Sequence, residues 1–96
     1  KVVSSSESFV KMLDVLPNVV TVGARTCGAS GNPQPYELGN GVTVFLPSWR
    51  DLMLDGTPVE GRGIEPKITV GATIAELAGR DPVIERAIEE LKKLRR

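Results

Sequence analysis

Apolar positions in the opening stretch recur every three or four residues: Phe9, Val10, Leu13 and Leu16, with Met12 beside them and Lys11 and Asp14 facing elsewhere. That is the period of an amphipathic helix laid on a sheet. It predicts a helix from Ser5 to about Leu16, stopped by Pro17-Asn18. The pattern then changes. Val19-Val20-Thr21-Val22 is β-branched with no polar alternation, which predicts a strand covered on both faces. A helix followed at once by a buried strand implies a parallel crossover, whose first strand is expected before Lys1. Gly23 to Pro35 reads as a loop dense in Gly, Ser, Asn and Pro. A hairpin follows, Tyr36-Glu37-Leu38 and Val42 to Leu46 joined by Asn40-Gly41, the preferred pair for a type I′ turn. Asp55-Gly56 marks a second turn between Leu52-Met53-Leu54 and Thr57-Pro58-Val59, and Gly61 to Pro66 is a loop leading into Ile68-Thr69-Val70. At the end Asp81 caps and Pro82 takes the first helical position. Val83, Ile84, Ala87, Ile88, Leu91 and Leu94 then form one apolar stripe. Lys92, Lys93, Arg95 and Arg96 gather where the helix dipole favours cations, as a solvated helix end. The order of elements predicts an α/β unit.

The start of the first helix carries the candidate chemistry. Ser4-x-x-Glu7 is a capping box, in which the Ser4 hydroxyl accepts from the N–H at position 7 and the Glu7 carboxylate reaches back to the N–H of Ser4. A serine there is either a cap or a nucleophile beside free N–H groups that can hold an oxyanion. The residues by themselves leave both readings open.

Composition narrows the choice by exclusion. Ninety-six residues make one small domain or a piece of a larger one. Phe9, Tyr36, Phe45 and Trp49 are the only aromatics, so a core must rest on Val, Ile and Leu. Twelve basic and twelve acidic side chains cancel, which gives no electrostatic footprint for nucleic acid or anionic lipid. There is no apolar run near the length that spans a bilayer. One cysteine excludes an internal disulfide, and no histidine is present, so the commonest general base is missing from these residues.

Other candidates weaken on inspection. Gly23 to Ser30 follows a strand with the glycine spacing of a phosphate loop, but Ala29 occupies the lysine position and Gly31-Asn32-Pro33 cannot open the required helix. Cys27 lacks a histidine to activate it and reads as a small, semi-buried residue. Glu60 could orient a base or pair with Arg62, although a surface carboxylate is the plainer reading. No carboxylate pair or Cys/His cluster supports a metal, and no cofactor is implied.

Taken in order, Ser4-Ser5-Ser6-Glu7, Val22-Gly23-x-x-Thr26-x-Gly28, Asn40-Gly41, Asp55-Gly56 and Gly61-x-Gly63-Ile64-x-Pro66 resemble the C-terminal processing (tail-specific) serine peptidases, which have the tricorn core peptidase as a relative. The resemblance runs along the whole chain. It implies that residues 1–96 are the carboxy-terminal half of a catalytic domain with a crotonase-like α/β fold, acting on polypeptide substrates. The family's nucleophile would be Ser4, and the N–H of the next residue, Ser5, would be one oxyanion donor. In the lysine-dependent branch the base follows the glycine of the Thr-x-Gly loop, and that place is Ala29 here. The tricorn-like branch instead takes a histidine from far upstream and adds a glutamate before the Gly-Ile/Val-x-Pro loop, where Glu60 stands. Gly28 to Pro33 also looks like bacterial members of that branch. Lys67 departs from the aspartate usual after the proline.

The resemblance therefore implies a nucleophile, part of an oxyanion hole and an orienting acid, with the base brought by another segment. The alternative is a non-catalytic binding module on the same fold, as in the retinoid-binding relative of the eye. Two further expectations follow. Bacterial relatives are exported, which points to a periplasmic or extracellular setting, and the open crossover predicts exposed sheet edges and self-association.

Overall fold

The computed structural model describes residues 1–71 and 73–94. The first helix, α1, runs Ser5–Asp14 and ends before the expected Leu16, with Val15 as its C-cap. Pro17 biases the residue before it away from helical geometry, and the chain turns there instead, Leu16 N–H donating to Leu13 O at 3.0 Å. The strand expected at 19–22 shrinks to β1, Val22–Gly23. It was also expected to be covered on both faces, yet Val20 is 42% exposed. β1 pairs in parallel with the later strand Ile68–Thr69, in the register Val22 to Ile68 and Gly23 to Thr69. This pair joins β1 to a strand that follows it in the chain; it is not the crossover expected from the helix–strand order, whose partner strand is expected before α1.

Between them stand the hairpin strands β2, Pro33–Glu37, and β3, Thr43–Pro47, antiparallel from Pro33–Pro47 to Glu37–Thr43. With Ile68–Thr69 as β4, the sheets are two separate pairs, β1–β4 and β2–β3. The hairpin begins earlier than the sequence implied, because Gly31 O already receives the Ser48 N–H at 2.9 Å. Its turn is also different. A type I′ turn needs positive φ at both Asn40 and Gly41, whereas the positive values fall at Gly39 and Gly41. Asn40 instead accepts the Val42 N–H on its side chain at 3.3 Å. Asp55-Gly56 does turn the chain, closed by Met53 N–H to Thr57 O at 2.8 Å and by the single bridge Leu52–Pro58.

A short helix, α2, Ile74–Leu77, was not anticipated, although Thr73-x-x-Glu76 is a capping box and Thr73 does accept from the Glu76 N–H. The last helix, α3, spans Pro82–Leu94 as expected. Asp81 Oδ1 takes the N–H groups of Val83 and Ile84 at 2.9 and 3.1 Å. Lys93 of the basic end pairs with Glu90, while Arg95 and Arg96 lie outside the described residues. α3 packs on β1, Val83 approaching Gly23. Most of its apolar stripe is uncovered, however, with Ile84, Ile88, Leu91 and Leu94 all exposed.

The expected Val/Ile/Leu core is thus confined to Val59 and Ile64, the buried apolar residues among those described. The buried centre is polar instead: Glu7, Thr26, Ser30 and Asp51. It forms where the loop Thr26–Gly28 crosses the loop Gly61–Ile64. Thr26 N–H donates to Ile64 O at 3.0 Å, Ile64 N–H to Thr26 Oγ1 at 2.7 Å, and Gly61 N–H to Gly28 O at 2.8 Å. The crossing is so close that only glycine fits. A Cβ on Gly63 would lie 2.5 Å from Thr26 O, and one on Gly28 would lie 2.6 Å from Gly63 N; both residues have positive φ. Gly63→Ala therefore combines backbone strain of about 1–3 kcal/mol with a clash against main chain that cannot swing aside. It is expected to lower the denaturant midpoint far more than Gly79→Ala, whose Cβ meets open space. Equal midpoints for the two variants would show that the crossing is not tight.

Lys67, the departure noted above, has a structural role. Its Nζ donates to Asp14 O at 2.9 Å and Val19 O at 2.8 Å, and lies 3.4 Å from the Asp14 carboxylate. A cation thus closes the C-terminal end of α1, where carbonyls are left over.

Candidate active site

Ser4 stands at the N-cap of α1 with φ 57° and ψ −128°. An L-residue rarely occupies that region, and holding one there costs on the order of 1–3 kcal/mol. The surroundings over-determine it. Ser4 N–H is shared between Ala29 O at 2.9 Å and Glu7 Oε2 at 3.0 Å, and Val2 O receives the Cys27 N–H at 2.9 Å. The chain is thereby bent sharply into a helix with a serine at the bend. Both arms of the expected capping box are in place, the Ser4 side chain toward the Glu7 N–H and the Glu7 carboxylate toward the Ser4 N–H; the second closes as a hydrogen bond, while the first falls short of one. Its side chain is exposed. Ser5 follows as the first helical residue, and among the described residues no acceptor takes its N–H.

Glu7 does more than cap. It is fully buried. Its carboxylate also accepts from Thr26 Oγ1 at 2.5 Å, Gly28 N–H at 2.7 Å and Ala29 N–H at 2.9 Å. Burial pushes its pKa up, but the hydrogen bonds from Thr26, Gly28, Ala29 and Ser4 outweigh it and hold the carboxyl below its ordinary value. One charge thus ties the Ser4 bend to the Thr26–Ala29 loop.

Ser4 opens onto a cavity of about 680 Å³, which Ala29, Ser30, Asp51 and Glu60 also line. Its apolar wall is built of rings, Pro33, Phe45, Pro47, Trp49 and Pro58, with Arg50 among them. The volume falls within the roughly 300–1,000 Å³ of ligand sites. Of the residues anticipated as functional, Ser4 and Glu60 therefore meet at one cavity. Ser5 is not among its lining residues. Glu60 is exposed and does not pair with Arg62; its Oε2 accepts the Ser30 N–H at 2.8 Å. Ala29, at the lysine place, contributes only main chain here, its N–H bound to Glu7. Cys27, expected to be semi-buried, is exposed.

Sequence reasoning missed Ser30 and Asp51. Asp51 is buried and accepts from Ser8 Oγ and Ser30 Oγ, each at 2.9 Å, while Lys11 Nζ pairs with its other oxygen. Burial opposes its charge, yet the bonds from Lys11, Ser30 and Ser8 and the Lys11 charge hold its pKa below the ordinary value. Nothing in the flanking Trp49-Arg50 or Leu52-Met53 hints at this, since the partners lie some forty positions earlier on α1 and twenty-one earlier in the loop.

Comparison with known proteins meets the same stretch. The family description "Peptidase family S41" matches residues 1–70. Among solved structures, 94% of the chain superimposes on a candidate peptidase from Parabacteroides merdae, with a TM-score of 0.81 and 36% identity. The tricorn protease matches over 97% of the chain, with a TM-score of 0.81 and 28% identity. The chain spans only 29% of the first structure's length and 10% of the second's. No curated protein matches it. The tricorn match shows a mixed helix and strand unit of the kind found in that protease. The matched residues hold the Ser4 bend, its Glu7 clamp, Asp51 and Glu60, and the chain belongs to peptidase family S41.

Proposed function

We propose that these residues form the nucleophile-bearing part of a serine endopeptidase site of the tricorn-like branch, on a crotonase-like α/β fold. The observation that carries the reading is the Ser4 bend: an exposed hydroxyl, held at φ 57° on a helix N-cap, facing a large cavity. A residue kept in so costly a conformation by a buried carboxylate is what a positioned nucleophile requires. The parallel β1–β4 pair and the likeness to the tricorn protease support the fold assignment.

In this mechanism Ser4 Oγ attacks the substrate's peptide carbonyl and its proton passes to a base. The chain has no histidine and carries Ala29 at the lysine place, so the base is assigned to a histidine from another segment of the full-length protein. The Ser5 N–H, open at the start of α1, stabilises the tetrahedral oxyanion, at about 3 kcal/mol for a donor of this kind. The protonated base then gives its proton to the leaving amine, and water hydrolyses the acyl-serine. Glu60 is cast as the acid that orients the base. The ring-lined wall accommodates apolar side chains of a polypeptide.

A fluorophosphonate probe tests this directly. Full-length protein is expected to take up one adduct, mapped to Ser4, with peptide hydrolysis lost in proportion. A folded protein that hydrolyses peptides with Ser4 unmodified refutes the assignment. A protein that neither labels nor hydrolyses is the non-catalytic binding module instead.

A further inference from the structure

Glu60 presents a puzzle of precision. It is an exposed side chain on a loop, yet an acid that orients a base must stand in one place. Among the described residues its carboxylate has one tether, the Ser30 N–H at 2.8 Å. A single bond can aim a flexible glutamate only if its donor is itself immobile. Ser30 is. It is 3% exposed and its hydroxyl donates to Asp51 at 2.9 Å. The main chain of Asp51 also fastens the residue before Glu60, its carbonyl accepting the Val59 N–H at 2.9 Å. Lys11 and Ser8 anchor the Asp51 carboxylate to α1, the helix that Ser4 begins.

We propose that Ser30, locked by Asp51, is a positioning residue for Glu60, setting where that carboxylate stands in the cavity it shares with Ser4. This rests on the peptidase reading above. Ser30 and Asp51 form no bond to substrate; they act through Glu60. The Asp51 clamp refers the Glu60 loop to the nucleophile helix, so the two reacting sides of the site share one frame.

The test uses full-length protein and a double-mutant cycle. Ser30→Ala keeps the N–H but frees the residue from Asp51. It is expected to lower kcat roughly ten- to a hundredfold through misplacement, with KM little changed. Ser8→Ala removes the other hydroxyl from the same carboxylate oxygen while Lys11 still anchors α1. It is expected to shift Tm comparably and leave kcat within about twofold. In the Ser30→Ala/Glu60→Gln double variant no loss is expected beyond that of Glu60→Gln, since both act through one group. Should Ser30→Ala not fold, Asp51→Asn enters the same cycle with the same expectation. Additive losses, equal kcat losses from Ser8→Ala and Ser30→Ala, or an effect on KM alone overturn the proposal. Fluorophosphonate labelling separates the layers. Ser4 labelled in the wild type with normal Ser30→Ala turnover removes only the positioning role. No labelling of Ser4 overturns both.

Discussion

Ser4→Ala in the full-length protein is expected to lower kcat for peptide hydrolysis by roughly 10⁴- to 10⁶-fold, the scale seen when a serine nucleophile is removed, while the protein stays folded. Both halves follow from the bend. The hydroxyl makes no capping bond, so its loss leaves no buried partner unsatisfied. Ser4 is held by its main chain through Ala29 O and Glu7 Oε2, and alanine keeps that N–H. Alanine is also no worse than serine at φ 57°, so Tm should move by only a few degrees. Ser4→Gly separates geometry from chemistry further. It relieves the strain and should raise Tm slightly, yet remain as inactive as the alanine variant. Hydrolysis at near wild-type rates in either variant would end the nucleophile assignment.

Glu7→Ala is the second large effect, and it falls on stability. Four donors converge on this one carboxylate: Thr26 Oγ1 and the N–H groups of Gly28, Ala29 and Ser4. Each buried donor left without an acceptor costs roughly 1–3 kcal/mol. Even if water reaches some of them, a loss on the order of 3 kcal/mol or more is expected, a large share of the 5–15 kcal/mol typical of a domain. The pH dependence has a definite sign. The folded-state pKa of Glu7 is depressed, so the unfolded chain takes up its proton first as pH falls below about 4.5, the ordinary value. Stability from this charge is complete above that pH and drains away as pH drops through the folded-state pKa. Asp51 acts in the same direction. Denaturant midpoints measured from pH 6 down to about pH 3 should fall for the wild type and fall less steeply for Glu7→Gln, which has no proton to gain. Parallel slopes would mean that Glu7 is not charged in the fold.

These two variants touch residues that a single short motif contains, and the contrast between them shows how far sequence reading reaches. Ser4-x-x-Glu7 marked a helix start correctly, because a capping box is a local device whose partners lie within one turn. The Asp81-Pro82 start of α3 was legible for the same reason. Local periodicity did not reveal that Val20, Ile84, Ile88 and Leu91 would stand exposed, since an apolar stripe says which face seeks cover and nothing of what arrives to cover it. The Asn40-Gly41 turn was misread because flanking Gly39 offered a second residue free to take positive φ. From the residues alone Glu60 read more plainly as a surface carboxylate, and the family resemblance raised it; its contact with Ser30 spans thirty positions and has no local signature.

By itself, then, the order of residues determined the starts of α1 and α3, the Asp55-Gly56 turn and the presence of a serine at the first helix start. Those properties depend on interactions within a few residues, where composition and spacing act directly. Tertiary structure alone decided that Glu7 would be the buried hub, that Ser4 would be forced to a positive φ, and that Ser30 and Asp51 would join Glu60 at one cavity. Each of these requires loops more than twenty positions apart to cross within hydrogen-bonding distance, and at Gly28 and Gly63 that crossing is possible only because neither residue has a side chain.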